Sequence, residues 1–137
     1  MAISFNSPKA PEPVGAYPHA KKVGDLLFLS GVGPRKRGSI DIPGVTLSKD
    51  GEVLNYNIEK QCVAVFENIK LILEESGSSW KNIVDVTVFL TNMKQDFKKY
   101  NNLYKLYFEK PFPTRTTVEV NCLPTPIAIE LKVIATI

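Results

Sequence analysis

Two residues carry the chemistry that this sequence can offer. Arg115 lies in Phe112-Pro113-Thr114-Arg115-Thr116-Thr117-Val118-Glu119-Val120, and Glu130 in Ile127-Ala128-Ile129-Glu130-Leu131-Lys132-Val133-Ile134. Both stretches read as strands. Alternate side chains of a strand share a face, so Arg115, Thr117 and Glu119 point one way and Thr116, Val118 and Val120 the other. A guanidinium presents a planar fork that matches a carboxylate with two parallel hydrogen bonds. A glutamate held in a cleft has its pKa raised, as a general acid or base near neutral pH requires. Pattern alone favours the plainer reading of each: a strand-end arginine and an edge glutamate, both in water.

What the chain lacks narrows the chemistry further. His19 is its one histidine, and Cys62 and Cys122 stand sixty positions apart with no CxxC pair. That spacing offers no metal cluster and no Ser-His-Asp triad of the usual kind. GxGxxG and Walker patterns are absent as well. The remaining tools are carboxylate, hydroxyl, arginine and water, so neither a metal nor a cofactor is expected. Tyr17, Ser30 and Asn101 add polar groups at element boundaries. His19, next to Pro18 in a proline-rich arm, is expected to be structural or solvent-facing. The two thiols are expected to be free and buried. Arg35-Lys36-Arg37 is either a solvated loop or an anion-binding rim, with Arg35 and Arg37 as its contacts.

The 137 residues fit one domain, with 44% hydrophobic and 23% charged residues. A net charge of +3 and a single three-residue basic run argue against a nucleic-acid surface. No apolar run approaches the ~20 residues of a membrane span. The N-terminus lacks the basic and apolar regions of a secretory signal, which points to a cytoplasmic location.

The elements that must position these residues follow from periodicity. Residues 7–18, with four prolines, read as an extended arm. Ala20–Val23 and Leu26–Leu29 flank a Gly24-Asp25 hairpin signal. Residues 31–45 form a loop, and a short strand near Val45–Leu47 precedes a Lys49-Asp50-Gly51 turn. Ile58, Cys62, Val65, Phe66, Ile69, Ile72 and Leu73 mark one face of a helix, with Asn57 as N-cap and Gly77 as its stop. Residues 83–90 read as a buried strand. A second helix is expected from an Asp96 cap to Pro111, its aromatic face formed by Phe97, Tyr100, Tyr104, Tyr107 and Phe108. Strands over Thr114–Val120 and Ile127–Ile137 complete an α+β, mixed sheet covered on one face by two helices. So short a chain has no third layer for the other sheet face, so an oligomer is expected to cover it.

Taken together, these pieces resemble the Rid (YjgF-type) family over Ala10 to Ala135. The resemblance is carried, in the family's order, by Val14-Gly15-Ala16-Tyr17, Phe28-Leu29-Ser30-Gly31 and Asn68-Ile69-Lys70. It continues through Val86-Thr87-Val88-Phe89-Leu90, Tyr100-Asn101, the Phe112–Val120 segment, and Leu123-Pro124 with Ile129-Glu130. It implies a chorismate-mutase-like fold assembled as a trimeric barrel, with active sites between subunits of the homotrimer. It further implies a cofactor-free deaminase that hydrolyses 2-imino or enamine acids. In that setting Arg115 would clamp the carboxylate of a small carboxylic acid substrate and Glu130 would activate water. Tyr17, Ser30 and Asn101 would line the pocket, with backbone amides of Gly31 and Thr117 as donors. Val32, Ala16 and Thr117 depart from the family's usual glutamine, proline and cysteine. The Gly33–Gly38 loop resembles members described as 2-aminomuconate deaminase-like, which makes an unsaturated amino dicarboxylate the alternative substrate. Members described as ribonucleases or translation inhibitors, and a regulator that binds small carboxylic acids without turnover, are the rival readings from other classes.

Overall fold

The computed structural model describes residues 2–137. Eight strands and two long helices alternate along the chain: β1 (Ile3–Phe5), β2 (Ala20–Val23), β3 (Leu26–Leu29), β4 (Val45–Leu47), β5 (Val53–Tyr56), α1 (Ile58–Glu75), β6 (Ile83–Leu90), α2 (Met93–Tyr107), β7 (Thr114–Glu119) and β8 (Ile129–Thr136). A short 3-10 turn, Trp80–Asn82, leads into β6. Six strands form one mixed sheet in the order β1-β2-β3-β8-β6-β7, and β4 and β5 pair apart as a hairpin. Among the described residues only β6 and β7 pair in parallel, and α2 supplies the long crossover that a parallel pair needs.

Helix α1 buries the predicted stripe. Cys62, Val65, Phe66, Ile69, Ile72 and Leu73 are all at most 2% exposed. The Asn57 side chain accepts from the Lys60 amide at 3.0 Å, and Gly77 takes the positive φ, 87°, that ends the helix. Beneath the helices lie Leu27, Leu29, Val86, Val88, Leu90, Ile129, Leu131 and Val133, the alternate residues of the three strands β3, β6 and β8. Phe66, Trp80, Tyr107 and Phe108 close the helix layer, mostly edge to face, with Trp80 and Phe108 tilted at 39°. Of the aromatic face expected for α2, Tyr100, Tyr104 and Phe108 are buried in the core and Tyr107 packs half-buried against it, but Phe97 is exposed. The opposite sheet face carries Leu26, Phe28, Phe89, Val118 and Ile134, none of them fully buried. No helix among the described residues is long and apolar enough to cross a membrane.

Several expectations need correction. Asp96 does not cap α2. The helix begins at Met93 behind Asn92, whose side chain accepts from the Gln95 amide at 3.1 Å. Asp96 instead points into the core, where it accepts from the Tyr56 hydroxyl at 2.6 Å. Burial pushes its carboxyl up, against the hydrogen bonds from Tyr56 and Gln95 and the charge of Lys99. Strands β1 and β5 were not anticipated; both are mostly exposed and carry no apolar alternation. The last strand begins at Ile129 rather than Ile127. Cys62 is buried, its thiol pushed up to about 12 mainly by desolvation, but Cys122 is exposed.

Candidate active site

The chain presents two groups of polar residues, one on each face of the sheet. Glu130 pairs with Phe89 across β6, and its neighbours Ile129 and Leu131 are buried under the helices. By alternation Glu130 therefore faces the open side. There it borders a cavity of about 390 Å³ that it shares with Tyr17, Ser30, Gly31, Arg35 and Lys132. Burial raises the Glu130 carboxyl above its ordinary range, and the positive charge of Arg35 pulls it part of the way back.

Gly31 explains how the carboxylate fits. A Cβ built on Gly31 would lie 2.5 Å from Glu130 Oε2 and 2.9 Å from its Cδ. A side chain at position 31 would push the carboxylate aside, because the carboxylate rests against the backbone there. Ser30 donates its hydroxyl to the Pro18 carbonyl at 2.7 Å, which ties β3 to the arm. The Tyr17 oxygen accepts from the Val14 amide at 3.1 Å, leaving its own proton free for a ligand.

The arm that carries Tyr17 is held from two sides. His19 is buried; its Nδ1 accepts from the Ser7 amide at 2.8 Å and its Nε2 donates to the Pro11 carbonyl at 2.7 Å. That pair of bonds selects the neutral Nε2–H tautomer. The histidine is structural. Arg37 is structural too, contrary to its expected place on an anion rim. Its guanidinium donates to the Ala10 and Ser7 carbonyls at 2.7 and 3.0 Å and pairs with Glu12 at 3.0 Å. Arg35 does reach the cavity, while donating to the Glu12 carbonyl at 2.8 Å. Asn68 of α1 fixes the loop by donating to the Gly33 and Arg35 carbonyls, both at 2.9 Å.

The second group lies across the sheet. Arg115 pairs with Val86 and Thr117 with Val88, both core residues, so their side chains face α2. Arg115 donates to Asn101 Oδ1 at 2.8 Å, and its guanidinium carbon lies 4.6 Å from the centre of the Tyr104 ring. Cation–π contact and one hydrogen bond thus orient the fork and leave most of its donors free. Thr117 Oγ1 is bonded to the Tyr100 hydroxyl at 2.9 Å. Burial pushes the Tyr104 phenol up to about 12, with Arg115 opposing it, so the ring stays neutral.

The sequence-predicted residues therefore divide. Tyr17, Ser30, Gly31, Arg35 and Glu130 come together in one chain, and Asn101, Arg115 and Thr117 come together elsewhere on it. Lys132 was missed, although its spacing of two from Glu130 places both on one face of β8. Tyr104, read only as core, also orients Arg115. Among the described residues no three His, Cys, Asp or Glu side chains gather as a metal site would require.

Comparison with known proteins agrees with this frame. The family described as Endoribonuclease L-PSP matches residues 7–137, and the chain belongs to that family, to which the names YjgF and Rid also apply. A RutC family protein of Saccharolobus solfataricus is 42% identical over 93% of this chain and 91% of its own length. A 2-iminobutanoate/2-iminopropanoate deaminase of Dermatophagoides farinae is 32% identical, covering 97% of this chain and 94% of its own. The crystal structure of E. coli TdcF with bound serine superposes with a TM-score of 0.82 at 28% identity, over 98% of each chain. The family thus includes members named as imine deaminases and a member that holds a small amino acid.

Proposed function

We propose that this protein hydrolyses reactive 2-imino acids, or their enamine tautomers, to 2-keto acids and ammonia, in sites completed between copies of a homotrimer. The observation that carries the reading is the pairing of complementary halves. One face of the sheet offers a raised carboxyl beside a cavity, and the other offers an oriented guanidinium at the edge strand β7. The uncovered apolar face, with Leu26, Phe28, Phe89 and Ile134, supports burial against a second copy. Docking there would bring the Arg115 of one copy to the Glu130 cavity of the next.

The steps then follow from the groups present. The substrate carboxylate is held by the Arg115 fork, a charge-assisted contact of about 1.5–3 kcal/mol. An enamine first takes a proton at carbon and becomes the imine. Water attacks the carbon of the N-protonated imine as Glu130 accepts one water proton, and the C=N double bond becomes a single bond in a neutral carbinolamine. Glu130 then gives that proton to the amino nitrogen, and as the C–N bond breaks it takes the hydroxyl proton, so that ammonia departs, the keto group forms and the last proton returns to solvent. A carboxyl raised by burial suits both roles. Imines are reactive already, so positioning supplies much of the acceleration.

The test is ammonia release from freshly generated 2-iminopropanoate. The intact protein is expected to accelerate it. Arg115→Ala is expected to lose about 2–5 kcal/mol in kcat/KM, the cost of truncating one side of a buried charge pair. Glu130→Gln is expected to bind 2-keto acids but not turn imines over. Near-normal turnover in Arg115→Ala would remove the clamp from the mechanism. Unchanged turnover in Glu130→Gln would leave a carboxylate-binding protein whose acceleration comes from elsewhere.

A further inference from the structure

Two glycines flank Val32 on the segment that borders the Glu130 cavity. Val32 exchanges both main-chain hydrogen bonds with Leu131, at 2.7 and 3.0 Å, and both side chains are buried in the core. Alternation then turns Gly31 and Gly33 to the open side, roughly 7 Å apart. Gly31 takes the Glu130 carboxylate against its backbone. Gly33 takes an apolar group: a Cβ built there would lie 2.8 Å from Ile127 Cδ1. All four residues line the cavity, which therefore has a carboxylate at Gly31 and an apolar stop at Gly33.

The stop is fastened from both sides. The Ile127 amide donates to the Thr125 carbonyl at 2.7 Å, which closes a tight turn, and the next amide, that of Ala128, donates to Oε1 of the buried Gln61 at 2.8 Å. Opposite it, Asn68 holds the Gly33 carbonyl at 2.9 Å. Ile127 is 8% exposed, whereas Val14 and Pro124, the other aliphatic residues of the cavity, are open to solvent. A well-packed, fastened wall yields to an extra methylene only at a cost, and an exposed side chain swings away. A ligand that extends from Glu130 toward Gly33 must therefore end at Ile127 Cδ1.

We propose that Ile127, seated on Gly33, is the specificity-determining residue that limits how long a side chain the bound acid can carry. The nature of the acid rests on the deaminase reading; the length limit does not.

The test is calorimetric binding of pyruvate, 2-oxobutanoate, 2-oxopentanoate and 2-oxohexanoate, each one methylene longer than the last. Wild-type affinity is expected to fall about tenfold or more at one step of the series, the discrimination a pocket wall gives against one methylene. Ile127→Val deletes Cδ1 alone and should move that step one carbon further out. Gly33→Ala crowds Cδ1 toward the cavity and should move it one carbon in. The two substitutions together should return the step to its wild-type place, because the atom that the new Cβ would strike is gone. Each variant is checked by thermal melting, and Ile127→Val, which removes one methyl, keeps the comparison valid if Gly33→Ala fails to fold. A series without a step, or a step that stays in place in both single variants, overturns the proposal. The matching imines, freshly generated, separate it from the deaminase reading. Equal kcat/KM at all four lengths upholds the deaminase and overturns the stop. A step in binding with no imine turned over upholds the stop and overturns the deaminase reading alone. No binding and no turnover overturns both.

Discussion

Arg115 and Glu130 stand on opposite faces of one sheet, with β6 between their strands. Arg115 registers with Val86, whose side chain is buried under α2, whereas Glu130 registers with Phe89 on the open side. A single chain cannot aim both at one substrate. Mixing therefore gives a sharp expectation. Arg115→Ala and Glu130→Gln chains, each inactive alone, should regain about a quarter of wild-type deaminase activity when refolded together in equal amounts. In a cyclic assembly, each intersubunit site draws an intact half from each side with a chance of about one half. No recovery in a mixture shown by mass to be co-assembled would count against shared sites.

Glu130 sets the acidic limb of the rate profile. Burial raises its carboxyl above the usual 4.5, with Arg35 as the opposing influence. The base form disappears as pH falls through the raised value, so kcat/KM should decline at a higher pH than for an exposed glutamate. Arg35→Gln should move that limb higher still. Stability runs in the opposite sense. A raised carboxyl contributes stability below its unfolded pKa and loses it as pH rises through the folded one. Glu130→Gln should accordingly gain in melting temperature relative to wild type as pH rises across that window. A constant difference between the two proteins would mean that the carboxyl is not raised.

Gly31→Ala separates folding from function. The added Cβ meets the end of the Glu130 side chain, which can swing away. Melting temperature should barely change. Turnover should fall by about tenfold or more, because displacing a catalytic group by about 1 Å is enough to cost that much. A variant that melts normally and works normally would show that the carboxylate does not act from this position.

Arg37→Ala should act at a distance. Three acceptors lose their donor, including carbonyls of the buried residues Ser7 and Ala10. Unsatisfied buried acceptors cost about 1–3 kcal/mol each, so a clear drop in melting temperature is expected. The arm also carries Tyr17, so KM should rise more than kcat falls. Arg37→Lys should restore only part of both, since one ammonium cannot reach three acceptors spread as a guanidinium reaches them.

Much of this was legible in the residues. The α1 stripe from Cys62 to Leu73 is the buried face, and the alternation through Arg115, Thr117 and Glu119 is the observed one. The separation of Arg115 from Glu130 was not legible. Alternation fixes faces within a strand, but whether residues of β7 and β8 share a face depends on register through β6, which each strand's own pattern does not carry. Asp96 was mistaken for a cap because aspartate is a good one, yet Asn92 with Gln95 three residues later supplies the start. Strands β1 and β5 escaped notice because pairing, not burial, holds them, and their side chains have no pattern to show. Lys132 looked like an ordinary strand lysine; only the cavity it lines together with Arg35 and Glu130 sets it apart.

The fastening of the arm has an evolutionary consequence. Asn68 of α1 holds the Gly33 and Arg35 carbonyls, and Arg35 and Arg37 in turn hold carbonyls of Ser7, Ala10 and Glu12. Because the acceptors are main-chain oxygens, the arm is free to vary in side chain while the donors are not. Grafting the Gly33–Gly38 loop onto a relative should transfer its charge but not its shape unless an asparagine stands at the matching turn of the helix. The heritable unit is the loop together with Asn68, and drift at that one helix position would loosen Tyr17 more than forty residues upstream in the chain.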